Sequence, residues 1–116
     1  PFRADVVRDR AALARQVDDG QIENVFRLQI MNATEVPQRF SVGVQGLPGI
    51  QIEKLPAITL QSAEARWVTL NVRIPPESAA QAGPGAHEIH FTIERLADAD
   101  QGARSLREKS TFVLPR

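Results

Sequence analysis

The sequence contains no cysteine among its 116 residues. A disulfide framework, a thiolate metal site, ligands for an iron–sulfur cluster and a cysteine nucleophile are therefore all excluded within this chain. The chain also has a single methionine, so it offers little thioether for a soft metal such as copper. Any iron–sulfur centre would have to lie in another polypeptide or in another part of a longer one.

The chain also lacks an excess of charge of either sign. Its 14 Lys and Arg residues balance 14 Asp and Glu residues, whereas nucleic-acid binders usually show a clear basic excess. The nearest basic cluster comprises Arg104, Arg107 and Lys109, and Glu108 interrupts it. We interpret this cluster as a solvated strand edge and expect no nucleic-acid partner.

Long hydrophobic runs are absent as well. No apolar stretch approaches the roughly 20 residues of a membrane-spanning helix, and no signal peptide is visible. The chain begins at Pro1 without a methionine, which suggests a fragment of a larger protein. Residues 1–116 have the length of one domain with a substantial core.

What the sequence does contain is alternation of apolar and polar residues with a period of two, which is typical of half-buried strands. From Asn24 to Asn32 it places Phe26, Leu28 and Ile30 on one face. Similar segments recur along the chain, and together they predict this core: Phe26, Leu28, Ile30, Phe40, Val42, Val68, Leu70, Val72, Ile89, Phe91 and Phe112.

Turn residues separate the segments, for example in Gly46-Leu47-Pro48-Gly49 and at Pro75-Pro76. Many short strands divided by turns predict an all-β sandwich or barrel, and one solvated face per strand predicts antiparallel sheets. We expect about seven strands. The segments 8–17 and 78–82 are interpreted as connections with some helical character, and 98–104 as a hairpin loop.

His87-Glu88-Ile89-His90 is the one segment that resembles a metal site. On a strand, residues three apart point to opposite faces, so His87 and His90 should diverge. The prediction is no metal site and no metal requirement for folding. The alternative left open is a copper site formed by His87, His90 and Met31.

No catalytic residues are predicted. A Ser–His–acid triad has no support because the chain lacks a Gly-x-Ser-x-Gly elbow. Asn32-Ala33-Thr34 matches a glycosylation sequon, but we expect a turn in which Asn32 and Thr34 form local hydrogen bonds.

Trp67 falls on the outward phase of the strand predicted for residues 66–74. An exposed tryptophan can anchor a protein interface, and it can equally be covered by a loop. Arg66 precedes it on the inward phase and is expected to reach solvent past the sheet end. Trp67 is the only site residue that the sequence nominates, as a possible interface residue.

A resemblance covers essentially the whole chain. It is carried by Val7-Arg8-Asp9-Arg10, by the stretch from Asp19 to Asn32 (DGQIENVFRLQIMN), and by Gln38-Arg39-Phe40 followed by Val44-Gln45-Gly46-Leu47-Pro48-Gly49. In order and spacing these segments resemble the C-terminal domain of the FixG/CcoG family of cytochrome c oxidase accessory proteins. The matched residues are turn glycines, alternating core positions and an asparagine at a strand end.

The resemblance implies an immunoglobulin-like β-sandwich of two antiparallel sheets. It also implies a parent protein with transmembrane helices and cysteine-bound iron–sulfur clusters in the bacterial inner membrane. Such a parent assists assembly of the cbb-type oxidase, plausibly as a copper reductase, and this domain would lie on the periplasmic side. None of the cluster-binding cysteines is present, so no redox residue and no cofactor carries over to this chain.

Three functions follow as hypotheses. The first is a non-catalytic interaction module that contacts oxidase subunits or copper-delivery proteins. The second is the periplasmic copper-binding domain already named. The third is a structural spacer without a specific partner. The sequence leaves the partner, the contact surface and the oligomeric state open.

Overall fold

The computed structural model describes residues 1–9, 14–98 and 102–116. They form nine strands, one α-helix and a 3₁₀ turn at Asp18–Gly20. The strands are β1 (Phe2–Arg8), β2 (Arg15–Gln16), β3 (Ile22–Asn32), β4 (Gln38–Gln45), β5 (Gln51–Ile52), β6 (Ile58–Leu60), β7 (Ala65–Ile74), β8 (Gly85–Arg95) and β9 (Arg104–Leu114), and the helix is α1 (Pro76–Ala82).

The strands form two antiparallel sheets. Sheet A has the order β1-β3-β7-β5, with β2 pairing beside β1 on the same side of β3. Sheet B has the order β6-β4-β8-β9. The predicted all-β sandwich of two antiparallel sheets is therefore confirmed.

The core lies between the sheets and consists of the inward phase of each strand. Two edge-to-face ring pairs join the sheets across it, Phe2 with Phe40 at 5.2 Å and Phe26 with Phe91 at 5.1 Å between ring centroids. Of the predicted core residues, all are buried except Val42 and Val68, which are half-buried and pack against the rest. The strand phase read from the sequence is therefore correct.

One expectation about the connections needs correction. The segment 8–17 was expected to have helical character, but Arg8 ends β1, and Arg15 and Gln16 form β2 against β3. Residues 10–13 of that segment, and 99–101 of the expected hairpin loop 98–104, lie outside the described residues. The segment 78–82 is helical, within α1.

The count of nine strands in the described residues also exceeds the expected number of about seven. β2, which is only two residues long, is too short to show a period in the sequence, and only pairing with β3 defines it. In the part of the chain that the structure describes, no helix is both long and apolar enough to span a membrane.

Side-chain hydrogen bonds fasten the sheets to each other at the sandwich end. Asn24, buried on the inward phase of β3, donates from Nδ2 to the Val113 carbonyl at 3.0 Å and accepts from the Val113 amide through Oδ1 at 2.8 Å. The amide side chain thus pairs with β9 much as a neighbouring strand would. Sheet A is joined in this way to the edge strand of sheet B.

Candidate interaction surface

Trp67 lies on the outer face of sheet A, as its strand phase predicts. Its side chain is 46% exposed, and it is the only tryptophan of the chain. The neighbouring inward positions Val68 and Leu70 face the core. β5 pairs with β7 only at Val72 and Arg73, so Trp67 belongs to the part of β7 that lies beyond β5 at the sheet edge.

Residues of β3 lie beside Trp67 on the same outer face, and β1 lies on the far side of β3. Gln29 of β3 lies directly opposite it, and Arg27 and Met31 occupy the positions two residues to either side. Met31 is 40% exposed and Val7, opposite Arg27 on β1, is 48% exposed. We call the set Val7, Arg27, Gln29, Met31 and Trp67 the Trp67 face.

The guanidinium of Arg27 stands over the indole of Trp67, with its Cζ 4.7 Å from the ring centroid. This is the geometry of a cation–π contact, which at an exposed site contributes about 0.5–1 kcal/mol. The contact favours one orientation of the indole, so part of its rotamer freedom is already lost before a partner binds. Trp and Arg are also the side chains that most often dominate interface energies.

The other possibility, that a loop covers Trp67, does not match the structure. The covering group is the Arg27 side chain from the neighbouring strand, and nearly half of the Trp67 surface remains accessible. The face can therefore offer an aromatic side chain, a thioether and a cation to an approaching protein. It offers no arrangement of acid, base and nucleophile.

Arg66 lies beside the turn that precedes β7, and it reaches solvent as expected. Its Nη2 donates to Glu64 Oε2 at 2.9 Å and to the Thr59 carbonyl at 3.1 Å. Glu64 also accepts from the Gln61 amide at 2.8 Å. The hydrogen bond from the Gln61 amide, followed by that from Arg66, lowers the pKa of Glu64, because both stabilise the carboxylate.

The residues of the hypothetical copper site lie on different surfaces. His90 is on the outer face of sheet B, with Nε2 3.3 Å from Glu88 Oε2. His87 lies on the inward phase at the sheet end, where its Nε2 is 2.8 Å from the Gly83 carbonyl oxygen. Met31 belongs to the opposite sheet. Among the described residues no group of three or more His, Cys, Asp or Glu side chains is placed to hold a metal ion.

The sequon forms a turn in which only Asn32 is buried. Asn32 has no exposed surface; its Nδ2 donates to the carbonyls of Val36, Leu60 and Gln61, and its Oδ1 accepts from the amide and the hydroxyl of Thr34. The expected local hydrogen bonds between Asn32 and Thr34 are confirmed. An asparagine engaged in this way is not an accessible glycosylation acceptor.

The burial of Glu23 was not predicted from the sequence. Glu23 lies on the outward phase of β3, yet its side chain is only 3% exposed. It lies between Arg15 of β2 at 3.1 Å and Arg73 of β7 at 2.8 Å. Nothing in the local pattern distinguishes Glu23 from other outward charges. Arg15 lies on a strand of only two residues, and Arg73 is 50 residues away in the chain.

The sequence of residues 1–115 matches the family described as "IG-like fold at C-terminal of FixG, putative oxidoreductase". No curated protein matches the chain.

The solved structures that resemble the fold include the following two. One is a FixG-related protein from Vibrio parahaemolyticus, with a TM-score of 0.78 and 19% identity over 97% of this chain and 95% of that one. The other is alpha-2-macroglobulin from Escherichia coli, spanning domain MG7 to the C-terminus, with a TM-score of 0.62 and 21% identity over 99% of this chain and 17% of that one. At these identities the likeness concerns the fold alone.

Proposed function

The chain belongs to the family of immunoglobulin-like domains found at the C-terminus of FixG, and from this membership we propose that it is a non-catalytic docking module of a FixG-type protein. It contacts protein partners during assembly of a cbb-type cytochrome c oxidase. The partners are oxidase subunits or copper-delivery proteins. The iron–sulfur clusters and the copper reductase activity belong to the parent protein, whose transmembrane helices tether this domain on the periplasmic side.

The observation that carries the proposal is the Trp67 face. A lone tryptophan, 46% exposed and held by Arg27, is an unusual use of a large apolar side chain on a solvated sheet. A spacer has no need of it, since Trp67 faces away from the core. Without cysteine, the chain has no thiolate ligand for a cluster and no cysteine nucleophile.

The copper-binding alternative has less support. It requires His87, His90 and Met31 to approach one ion. His87 lies on the inward phase of β8 and His90 on the outer face of the same strand, whereas Met31 lies on the outer face of sheet A. A contact module requires no rearrangement of the sandwich.

The test is a Trp67→Ala variant of the full-length parent, expressed in cells that depend on it for oxidase assembly. Val36→Ala is the matched control, because Val36 is 48% exposed and lies outside the Trp67 face. Circular dichroism of the isolated variant domains first establishes that both fold. We expect Trp67→Ala to reduce co-purification of oxidase subunits or copper-delivery proteins and the level of assembled oxidase, and Val36→Ala to change neither.

If Trp67→Ala leaves both readouts intact, Trp67 is not the contact. A parent that lacks the whole domain then separates the remaining hypotheses. Normal oxidase assembly by this stable, truncated parent would refute the docking function and favour the spacer.

A further inference from the structure

β9 forms one edge of sheet B, on the opposite sheet from the Trp67 face. It pairs with β8 along its entire length, from Arg104 opposite Arg95 to Leu114 opposite Gly85. On its other side no strand of the described residues pairs with it. An eleven-residue strand is long for a sheet edge, because proteins commonly keep edge strands short.

The contact at Val113 shows which backbone groups of β9 point away from β8. Both the amide and the carbonyl of Val113 bond to Asn24 rather than to β8. In an antiparallel ladder, residues alternate between those bonded to the partner and those that point away. The amides and carbonyls of Ser105, Arg107, Lys109 and Thr111 therefore also point to the open edge.

The side chains along this edge differ between the two faces. Arg107 and Lys109 are exposed on the outer face. On the inner phase, Ser110 lies opposite Ile89 and Glu108 lies opposite Phe91, and both are only half-buried. Polar inward residues and edge cations are devices that discourage pairing with another copy of the same strand. If the β9 edges of two copies paired with each other, Arg107 and Lys109 of one copy would lie against Arg107 and Lys109 of the other. Like charges directly across a ladder are destabilising.

A further cation lies beside the edge, where β1 of sheet A passes close to β9. Val7, Arg8, Ser110 and Thr111 line an open cleft between the two strands. Arg8 is exposed there. A strand added to β9 would thus meet Arg107 and Lys109 on its outer side and Arg8 near its inner side.

We propose that the free edge of β9, residues 105–111, accepts an extended acidic segment of another protein as an additional strand of sheet B. The backbone groups of the edge supply the hydrogen bonds, as in other cases of strand addition. Alternate carboxylates of the incoming segment pair with Arg107 and Lys109. The charge pattern that rejects a second copy of β9 therefore selects a partner of opposite charge. Only Val7 is common to the surroundings of β9 and the Trp67 face. The edge itself, residues 105–111, includes neither Arg27 nor Trp67, and the proposal stands whether or not Trp67 is a contact.

The test uses the isolated chain, labelled for NMR, and a short synthetic peptide that alternates glutamate with valine and threonine. We expect the peptide to shift the amide resonances of Ser105, Arg107, Lys109 and Thr111 and to slow their hydrogen exchange. A peptide with lysine in place of each glutamate, and a glutamate peptide with methylated backbone nitrogens, should each bind at least about tenfold more weakly.

Two variants test the edge itself. Arg107→Glu combined with Lys109→Glu should weaken the binding at least about tenfold, and Arg3→Glu combined with Arg39→Glu controls for the change in net charge. Thr111→Pro removes one outward amide and keeps both cations, and a proline is tolerated where a strand amide faces solvent. It should weaken binding by several-fold if the backbone pairs.

Three results would overturn the proposal. The glutamate peptide could shift resonances elsewhere, for example around Arg27, and leave β9 unchanged. The methylated peptide could bind as well as the unmodified one, which would show that charge attraction holds the peptide without backbone pairing. A single-stranded oligonucleotide could bind the same edge as tightly as the glutamate peptide or more tightly, which would indicate that Arg107 and Lys109 bind nucleic acid. In case Thr111→Pro unfolds the chain, the methylated peptide still tests backbone pairing.

Discussion

Gly46 and Gly43 lie close together in the chain, but only the position of Gly46 excludes a side chain. Gly46 follows β4 with a φ of 133°, a region that residues with a Cβ rarely adopt. A Cβ built there would lie 2.8 Å from the Glu88 carbonyl oxygen and 2.9 Å from Ile89 Cα, both on the neighbouring strand β8. At Gly43, within β4, nothing lies within 4 Å of such a Cβ.

We predict that Gly46→Ala lowers the free energy of unfolding by about 2 kcal/mol or more, because the new methyl group meets backbone atoms and φ is unfavourable. Gly43→Ala should be neutral or stabilising by up to about 1 kcal/mol, since alanine restricts the unfolded chain and fits the strand. Urea denaturation of both variants measures the difference. Equal destabilisation would show that β4 and β8 can separate to accept the methyl group.

At the scale of strands, a row of charges crosses the outer face of sheet A. Arg15 of β2, Glu23 of β3 and Arg73 of β7 are cross-strand neighbours. The Glu23 carboxylate, through its hydrogen bond, raises the pKa of Arg73 above its usual value. The side chain of Arg73 is 18% exposed and that of Arg15 is 67% exposed, so the two cations differ in how far solvent screens them.

Arg73→Ala should therefore destabilise the domain more than Arg15→Ala. Loss of Arg73 leaves the buried Glu23 carboxylate with one solvated partner, and we expect the melting temperature to fall by about 4 °C or more. Arg15→Ala should lower it by less than about 2 °C. Differential scanning calorimetry of the two variants decides the order, and equal shifts would contradict this ranking.

For the whole molecule, we expect the two sheets to pack together without a metal. The core spans both sheets, and it includes the ring pair of Phe26 and Phe91. The chain has no thiolate, and His87 and His90 lie on different faces of β8, so these histidines are not placed to share one metal ion.

We predict that EDTA leaves the melting temperature of the isolated chain unchanged within about 1 °C, because no metal contributes to the folded state. Stoichiometric copper or zinc should have equally little effect, and His87→Ala, measured in parallel, is the control. A rise of several degrees on adding copper, abolished by His87→Ala, would instead support the copper-binding hypothesis.

The fold class, the strand phase and the exposure of Trp67 all followed from the sequence. Each depends on alternation along a single strand, and a one-residue slip would turn Phe26, Leu28 and Ile30 to solvent. The turn at Asn32 also followed, because Asn and Thr two residues apart bond locally. The family resemblance rested on the same turn and core positions, and the match over residues 1–115 confirms it.

Only the tertiary structure decided the rest, because the residues concerned are far apart in sequence. Glu23 is buried by an arginine 50 residues away, and Asn24 bonds to Val113 across 89 residues. The extent of β9 was also decided by pairing. Its first seven residues, from Arg104 to Ser110, are mostly polar and show no regular apolar alternation. Pairing with β8 makes them part of a strand, and the position of this strand at the edge of sheet B leaves it open to a partner.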